Sequence, residues 1–226
     1  MSLPQPFVYP SEPHIRKHAP AGYADYTAYK PWLRDEFEFR CVYCLQRETW
    51  SRAGHAAFSV DHSFPQAFDR AGLFVCGYSN LLYVCTRCNS YRQDELVLDP
   101  TEEGLAWQLR VQHDGTIVGL TSEGLFLIQL LHLNSQAAIR ERQRILRILE
   151  RRIRYPDDPE VRKDYHEAFG YPDDLPELRR RPPHGPNPPG GNVLEANTEY
   201  CCFARRERDE LPLICSHGEC PRLYPG

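Results

Sequence analysis

Two cysteine pairs constrain this 226-residue chain more than any other feature: Cys41-x-x-Cys44 in "CVYC" and Cys85-x-x-Cys88 in "CTRC". Each pair is tight enough to present two thiolates to one ion, and together they supply the closed S4 tetrahedron of a structural Zn²⁺. The competing readings are chance pairing or a rubredoxin-like iron site. The chain holds nine cysteines, and with no apolar leader in "MSLPQPFVYPSEPHIRKHAP", metal is favoured over disulfides and a cytoplasmic setting is expected. A Zn(Cys)4 site carries two net negative charges, so Arg40, Arg47 and Arg87 beside the knuckles are expected to balance it. Bound metal would also contribute folding energy on the order of 10 kcal/mol to a region with few large apolar side chains.

The longest apolar run, Leu125 to Leu133, is too short to span a bilayer, so no membrane association is expected. Net charge is −4, which excludes a protein that coats nucleic acid by bulk charge. Any nucleic-acid contact must come from a local concentration of arginine.

Local signals divide the chain into four parts. Residues 1–31 are rich in Pro and Tyr without sustained period and read as an extended arm. Residues 32–100 contain the knuckles: a helix over 32–40, a strand at "FSVDH", a long connection over 63–79, a strand at "NLLYVC" and a helix from "CNSYRQDEL". Residues 101–180 open with a hairpin, whose turn His113-Asp114-Gly115-Thr116 suits positive φ. A helix over 123–133 capped by Thr121 or Ser122 follows, then a long helix to about Tyr155. Residues 181–226 comprise a Pro/Gly linker, "PPHGPNPPGG", and a tail with Cys201, Cys202, Cys215, His217 and Cys220, whose spacing is unusual for a second zinc site. The expected fold class is α+β.

Between the knuckles lie the residues that carry chemistry. "VDHSFPQ" holds Asp61 and His62, "SNLLYVC" holds Asn80, and "CNSYR" puts Asn89 and Arg92 one helical turn apart. Hydrolysis of a phosphodiester needs a proton acceptor for water and a cation to neutralise the phosphate. Imidazole supplies the first at neutral pH, and carboxylate and amide oxygens suit the second. Neighbours on a strand face opposite ways, so a twist or bulge is expected at the end of the Asp61-His62 strand.

The order knuckle, Asp-His, Asn-Leu, Cys-x-x-Cys-Asn over residues 41–92 resembles the HNH endonuclease family, in which a ββα-metal motif is framed by two zinc knuckles. The resemblance implies a phosphodiester hydrolase acting on DNA, with RNA left open. His62 would be the general base, Asp61 and Asn89 the ligands of a catalytic Mg²⁺ or Mn²⁺, and Asn80 a brace for the loop. Arg92 would contact a substrate phosphate. The stretch from Asp114 to Arg142 also resembles the region after the motif in small bacterial HNH proteins of anti-phage systems, some of which pair with an ATPase. That likeness implies a defence effector with a partner subunit. The alternative is a zinc-framed module that binds nucleic acid or a partner without cutting.

Positive charge concentrates in the long helix. Residues 31–100 are net −2, whereas 136–154 hold seven Arg and two Glu. At about 100° per residue, Arg140, Arg144, Arg147, Arg151 and Arg154 form one stripe, with Ala138, Ile145, Leu149 and Ile153 opposite. Such a stripe suits backbone phosphates, and equally a merely solvated helix face.

Overall fold

A computed structural model describes residues 6–178 and 201–214. Its centre is an antiparallel pair, β1 (Phe58–His62) and β2 (Leu81–Cys85), with Phe58 opposite Cys85 and His62 opposite Leu81. The ladder runs unbroken through Asp61 and His62, so the expected bulge is not there. All five residues of β2 are buried, because α1 (Lys30–Glu36) and α2 (Thr86–Arg92) both pack on it. A strand covered on both sides needs a continuous apolar run, and "LLYVC" is one.

Helix α1 starts at Lys30 with Pro31 in its first turn and ends at Glu36, four residues short of the expected boundary. The chain then turns through Glu38 and Phe39, both at positive φ, and the buried Phe39 ring lies beneath the Arg34 guanidinium. This turn delivers the chain to the first knuckle, which is tied to β2 by the Val42 amide on the Tyr83 carbonyl at 3.2 Å.

The N-terminal segment is not an extended arm. Phe7, Tyr9, Tyr23 and Tyr29 are buried in the core, and the Tyr9 hydroxyl donates to the Tyr43 carbonyl at 2.8 Å. Arg16 donates to the carbonyls of Ser79 and Leu81 while its guanidinium lies 5.2 Å from both the Phe37 and Tyr78 rings. The Glu36 carboxylate accepts from the amides of Lys17 and His18 and from the Tyr78 hydroxyl, and its Oε1 lies 2.7 Å from the His14 ring. His18 pairs with Asp35 at 2.7 Å. Aromatic burial at about 2 kcal/mol per ring, together with these charge-assisted bonds, makes the segment part of the core.

The hairpin forms as expected: β3 (Leu109–Val111) pairs with β4 (Ile117–Gly119) across a turn with Gly115 at φ +84°. Asp114 closes that turn by accepting from the amide and hydroxyl of Thr116. Helix α3 (Ser122–Leu130) is capped by Thr121, and α4 (Gln136–Arg154) by Ser135. On α4, Ala138 and Ile145 face the core, but Ile153 is exposed. Arg142 lies on the buried side instead, donating to the carbonyls of Gly115 and Leu133 and so joining α4 to the hairpin.

Helix α5 (Pro159–Phe169), which no periodic signal singled out, begins on Asp158, whose carboxylate accepts from the amides of Glu160 and Val161. Its C-terminus docks on the first knuckle: the fully buried Arg47 donates to the carbonyls of Phe169 and Gly170 at 3.1 Å, and Trp50 to that of Ala168. A guanidinium suits the orphan carbonyls and negative dipole end there. Helix α6 (Cys202–Glu207) returns to α1, where the Cys202 amide donates to Asp35 and Cys201 is fully buried. The Pro/Gly linker, Cys215, His217 and Cys220 lie outside the described residues. Among the described residues, no helix is long and apolar enough to cross a membrane.

Asp35 and Glu36 govern the acid stability of this arrangement. Burial pushes both carboxyls up, but the rings of His18 and His14 outweigh it and hold them below the ordinary carboxylate range. A folded value below the unfolded one contributes stability that is complete above about pH 4–5 and lost as pH falls through the lowered value. The melting temperature should therefore decline on acidification below about pH 4–5. Asp35→Asn with Glu36→Gln should lower it at neutral pH and flatten the decline. A decline as steep in the double variant as in wild type would contradict the assignment.

Candidate metal centre and the Asp61–His62 site

The four cysteines meet. Cys41 and Cys44 sit in a turn closed by the Cys41 amide on the Gln46 carbonyl, with Leu45 at φ +62°. Cys85 ends β2 and caps α2, its Sγ accepting from the Cys88 amide at 3.5 Å. All four are buried, their sulfurs lie within 4.8 Å of one another, and Cys44 Sγ is 3.6 Å from Cys85 Sγ. A tetrahedron with Zn–S bonds of about 2.3 Å needs sulfurs about 3.8 Å apart, whereas a disulfide needs about 2.05 Å. The donor set therefore fits a structural zinc.

Burial pushes the Cys41 thiol up, and a divalent cation would offset that cost by holding all four sulfurs as thiolates. Of the three expected counter-charges, Arg87 feels the sulfurs: burial opposes its charge, but the four cysteines raise its proton affinity. Arg47 is committed to α5, and Arg40 lies nearest Glu38, at 3.9 Å.

The second constellation lies where β1 ends against α2. Asp61 Oδ1 accepts from the His62 amide at 2.8 Å, and Oδ2 from Arg92 Nη1 at 2.7 Å. Arg92 is fully buried and also donates to the carbonyls of His62 at 2.6 Å and Ser63 at 2.7 Å. The expected phosphate contact is therefore not made by Arg92, whose guanidinium faces inward and grips the Asp-His turn. Burial pushes the Asp61 carboxyl above its ordinary value, and Arg92 recovers part of this. Removing either partner would leave a buried charge, at a cost of about 3–5 kcal/mol.

His62 Nε2 is 2.9 Å from the Val75 carbonyl, the Tyr26 ring meets the imidazole edge-on at 4.6 Å, and the Gln66 side-chain nitrogen lies 3.4 Å from Nδ1, to which it can donate. A carbonyl only accepts, so this contact assigns the proton to Nε2 and leaves the lone pair on Nδ1. His62 is 7% exposed beneath this cover.

Asn80 spans the two ends of the 63–79 connection. Its Oδ1 accepts from the Phe64 amide at 2.7 Å, and its Nδ2 donates to the carbonyls of Phe64 and Phe74. It reaches His62 only through the loop it clamps. Asn89 lies three positions before Arg92 on α2, half-buried, with an amide that makes no hydrogen bond among the described residues. For a divalent cation, Asn89 offers a free amide oxygen. Asp61 Oδ1 carries only one backbone N–H and keeps acceptor capacity. Carboxylate and amide oxygens are the donor types an oxygen-seeking ion takes, and the Arg92 guanidinium on Asp61 opposes tight binding of a cation there.

Of the stripe on α4, Arg140, Arg144, Arg147, Arg151 and Arg154 are all exposed. Arg144 pairs with Glu141 at 2.6 Å and Arg151 with Asp164 at 2.9 Å; Arg140, Arg147 and Arg154 make no ion pair among the described residues. Tyr26 and Gln66 against His62, and the inward role of Arg92, carry no sequence signal beyond proximity to the motif.

Neither models of known protein families nor curated proteins match this chain.

The zinc assignment has a direct test. Purified protein should contain zinc by atomic emission, and Cys41→Ser with Cys85→Ser should lose it together with cooperative thermal unfolding. Retention of a sharp transition by a zinc-free variant would remove the metal from the core of the structure.

Proposed function

We propose that this chain is a metal-dependent endonuclease of the HNH type acting on DNA. The observation that carries the reading is the order β1–β2–α2 closed by four sulfurs, with Asp61 and His62 ending β1, Asn80 preceding β2 and Asn89 on α2. In this reading His62 takes the proton of the attacking water at Nδ1, its tautomer set by the Val75 carbonyl. Asn80 holds the loop that carries that carbonyl. Arg92 is a positioning residue, keeping Asp61 and the His62 backbone in register with α2. Mg²⁺ or Mn²⁺ held by Asp61 and Asn89 would neutralise charge on the scissile phosphate. Because His62 is covered by Tyr26, Val75 and Gln66, a phosphodiester reaches Nδ1 only when the 63–79 connection and the Tyr26 ring move aside.

DNA would lie along α4, where Arg140, Arg147 and Arg154 offer exposed guanidinium groups. The surface pairs of Arg144 and Arg151 are weak enough to be exchanged for phosphate. The likeness of residues 114–142 to small HNH proteins of anti-phage systems extends the proposal to a defence effector that works with a partner ATPase.

A second reading has its own support. Asp61 gripped by Arg92 and His62 under cover also describe a zinc-framed binding module whose catalytic set is silent.

One experiment separates the two. Wild type with Mg²⁺ or Mn²⁺ should nick or cut supercoiled plasmid. His62→Ala should lose at least about 100-fold of that activity with unchanged circular dichroism. Cleavage by the variant at the wild-type rate would falsify the nuclease reading. Salt-sensitive DNA retention without cleavage under any divalent ion would favour the module.

Arg140→Ala and Arg147→Ala should each weaken DNA binding and reduce the slope of log affinity against log salt by about 1. An unchanged slope in the double variant would assign the stripe to solvent.

A further inference from the structure

Beside the Asp61–His62 site lies a groove of about 840 Å³. It shares Ser63 and Asn80 with the loop that carries His62, but its chemistry differs from that of a phosphate site. Its floor is apolar, and Phe64, Phe74, Leu96 and Phe126 are each between 39% and 56% exposed along it. Large apolar side chains converging on one concave surface are the usual mark of a docking site.

The charge around that floor has one sign. Asp99, Glu102, Glu103 and Glu123 line the groove, and no Lys, Arg or His does. Asp99 is turned into its own loop, accepting from Thr101 and from the Ser63 hydroxyl, and Glu103 accepts from the Gln108 amide. The Glu102 carboxylate makes no hydrogen bond or ion pair among the described residues, and that of Glu123 meets only local donors, the Ser122 hydroxyl at 2.9 Å with Thr121 and its own backbone N–H beside it. Two carboxylates therefore remain on the rim with acceptor capacity for an incoming cation.

We propose that this groove binds a basic peptide segment of a partner protein, with a bulky apolar side chain seated on Phe64, Phe74 and Phe126 and arginine or lysine meeting Glu102 and Glu123. Nucleic acid is a poor occupant, since its phosphates would meet carboxylates with no counter-charge in the lining. An aromatic floor that excludes water strengthens the charged contacts at its edge, and the sign of the rim selects the partner. Ser63 ties the groove to the His62 site directly: its hydroxyl donates to Asp99 within the groove while its carbonyl accepts from Arg92. An occupant would press on the same loop that covers the imidazole. Peptide binding is nonetheless independent of whether that imidazole catalyses anything.

The test uses the full chain and a fluorescein-labelled synthetic peptide alternating Arg with Leu and Phe, followed by fluorescence anisotropy. Saturable binding is expected, at least about tenfold weaker with Glu102→Lys plus Glu123→Gln and, separately, with Phe126→Ala. Equal melting temperatures would show that the variants remain folded. Two control peptides, one with Glu for every Arg and one with Gly for every apolar residue, should bind at least about tenfold more weakly. The proposal is overturned if wild type does not bind, if either control binds equally well, or if the variants keep wild-type affinity. It is also overturned if a single-stranded oligonucleotide displaces the peptide, or if sedimentation shows self-association that the Glu102 and Glu123 substitutions abolish.

Discussion

Four buried sulfurs within 4.8 Å of one another join the first knuckle to the junction of β2 and α2. A two-stranded antiparallel pair of five residues per strand is marginal alone in water. Here it is pinned at the point where β2 becomes α2, by thiols that come from both sides of a 41-residue separation. The clamp fixes the start of α2, and the Arg92 side chain at the end of that helix reaches back to β1. Sulfur cluster and buried guanidinium thus secure the two ends of one short helix.

Arginine performs this kind of task repeatedly. Arg34 bonds both oxygens of Glu48, Arg47 holds the C-terminus of α5, Arg92 grips the Asp61–His62 turn, and Arg142 joins α4 to the hairpin. Each guanidinium spreads several N–H donors over carbonyls or a carboxylate, which a lysine ammonium cannot do in one plane. A core braced in this way depends on complete pairing, since a lone buried charge costs far more than the pair contributes. It also bears on recognition. Arginines committed to the interior are unavailable to a ligand, whereas Arg140, Arg144, Arg147, Arg151 and Arg154 on α4 stay exposed, and the charged groups lining the groove beside Asn80 are all carboxylates. Such separation of sign would let one chain hold an anionic polymer on one surface and a cationic segment on another.

Much of the fold was legible because the signals are local. Cysteine spacing announced the four-cysteine cluster, Asp114-Gly115 the hairpin, and Thr121 the start of α3. The strand ending in Asp61-His62 stands where its residues predicted, whereas the helix carrying Asn89 runs over Thr86–Arg92 and stops short of the expected Gln93-Asp94-Glu95-Leu96 stretch. Other features depended on partners far away in the chain. The aromatic N-terminal segment looked like an arm because its rings have no period, yet they fill a surface made by α1 and the first knuckle. Arg142 gave a usable sign: at about 100° per residue it falls among Ala138, Ile145 and Leu149, not among the exposed arginines. Arg92 gave none, since an arginine one turn beyond an asparagine fits a phosphate contact and an internal brace equally well.

The amino-acid order alone determined which side chains could hold a metal and where the regular elements begin, since both follow from spacing and from interactions within a few residues. Only the tertiary structure decided which charges stay exposed, how deeply His62 lies and where an acidic groove opens. Those outcomes depend on which carbonyls, rings and carboxylates meet across long chain separations, and no local pattern encodes that meeting.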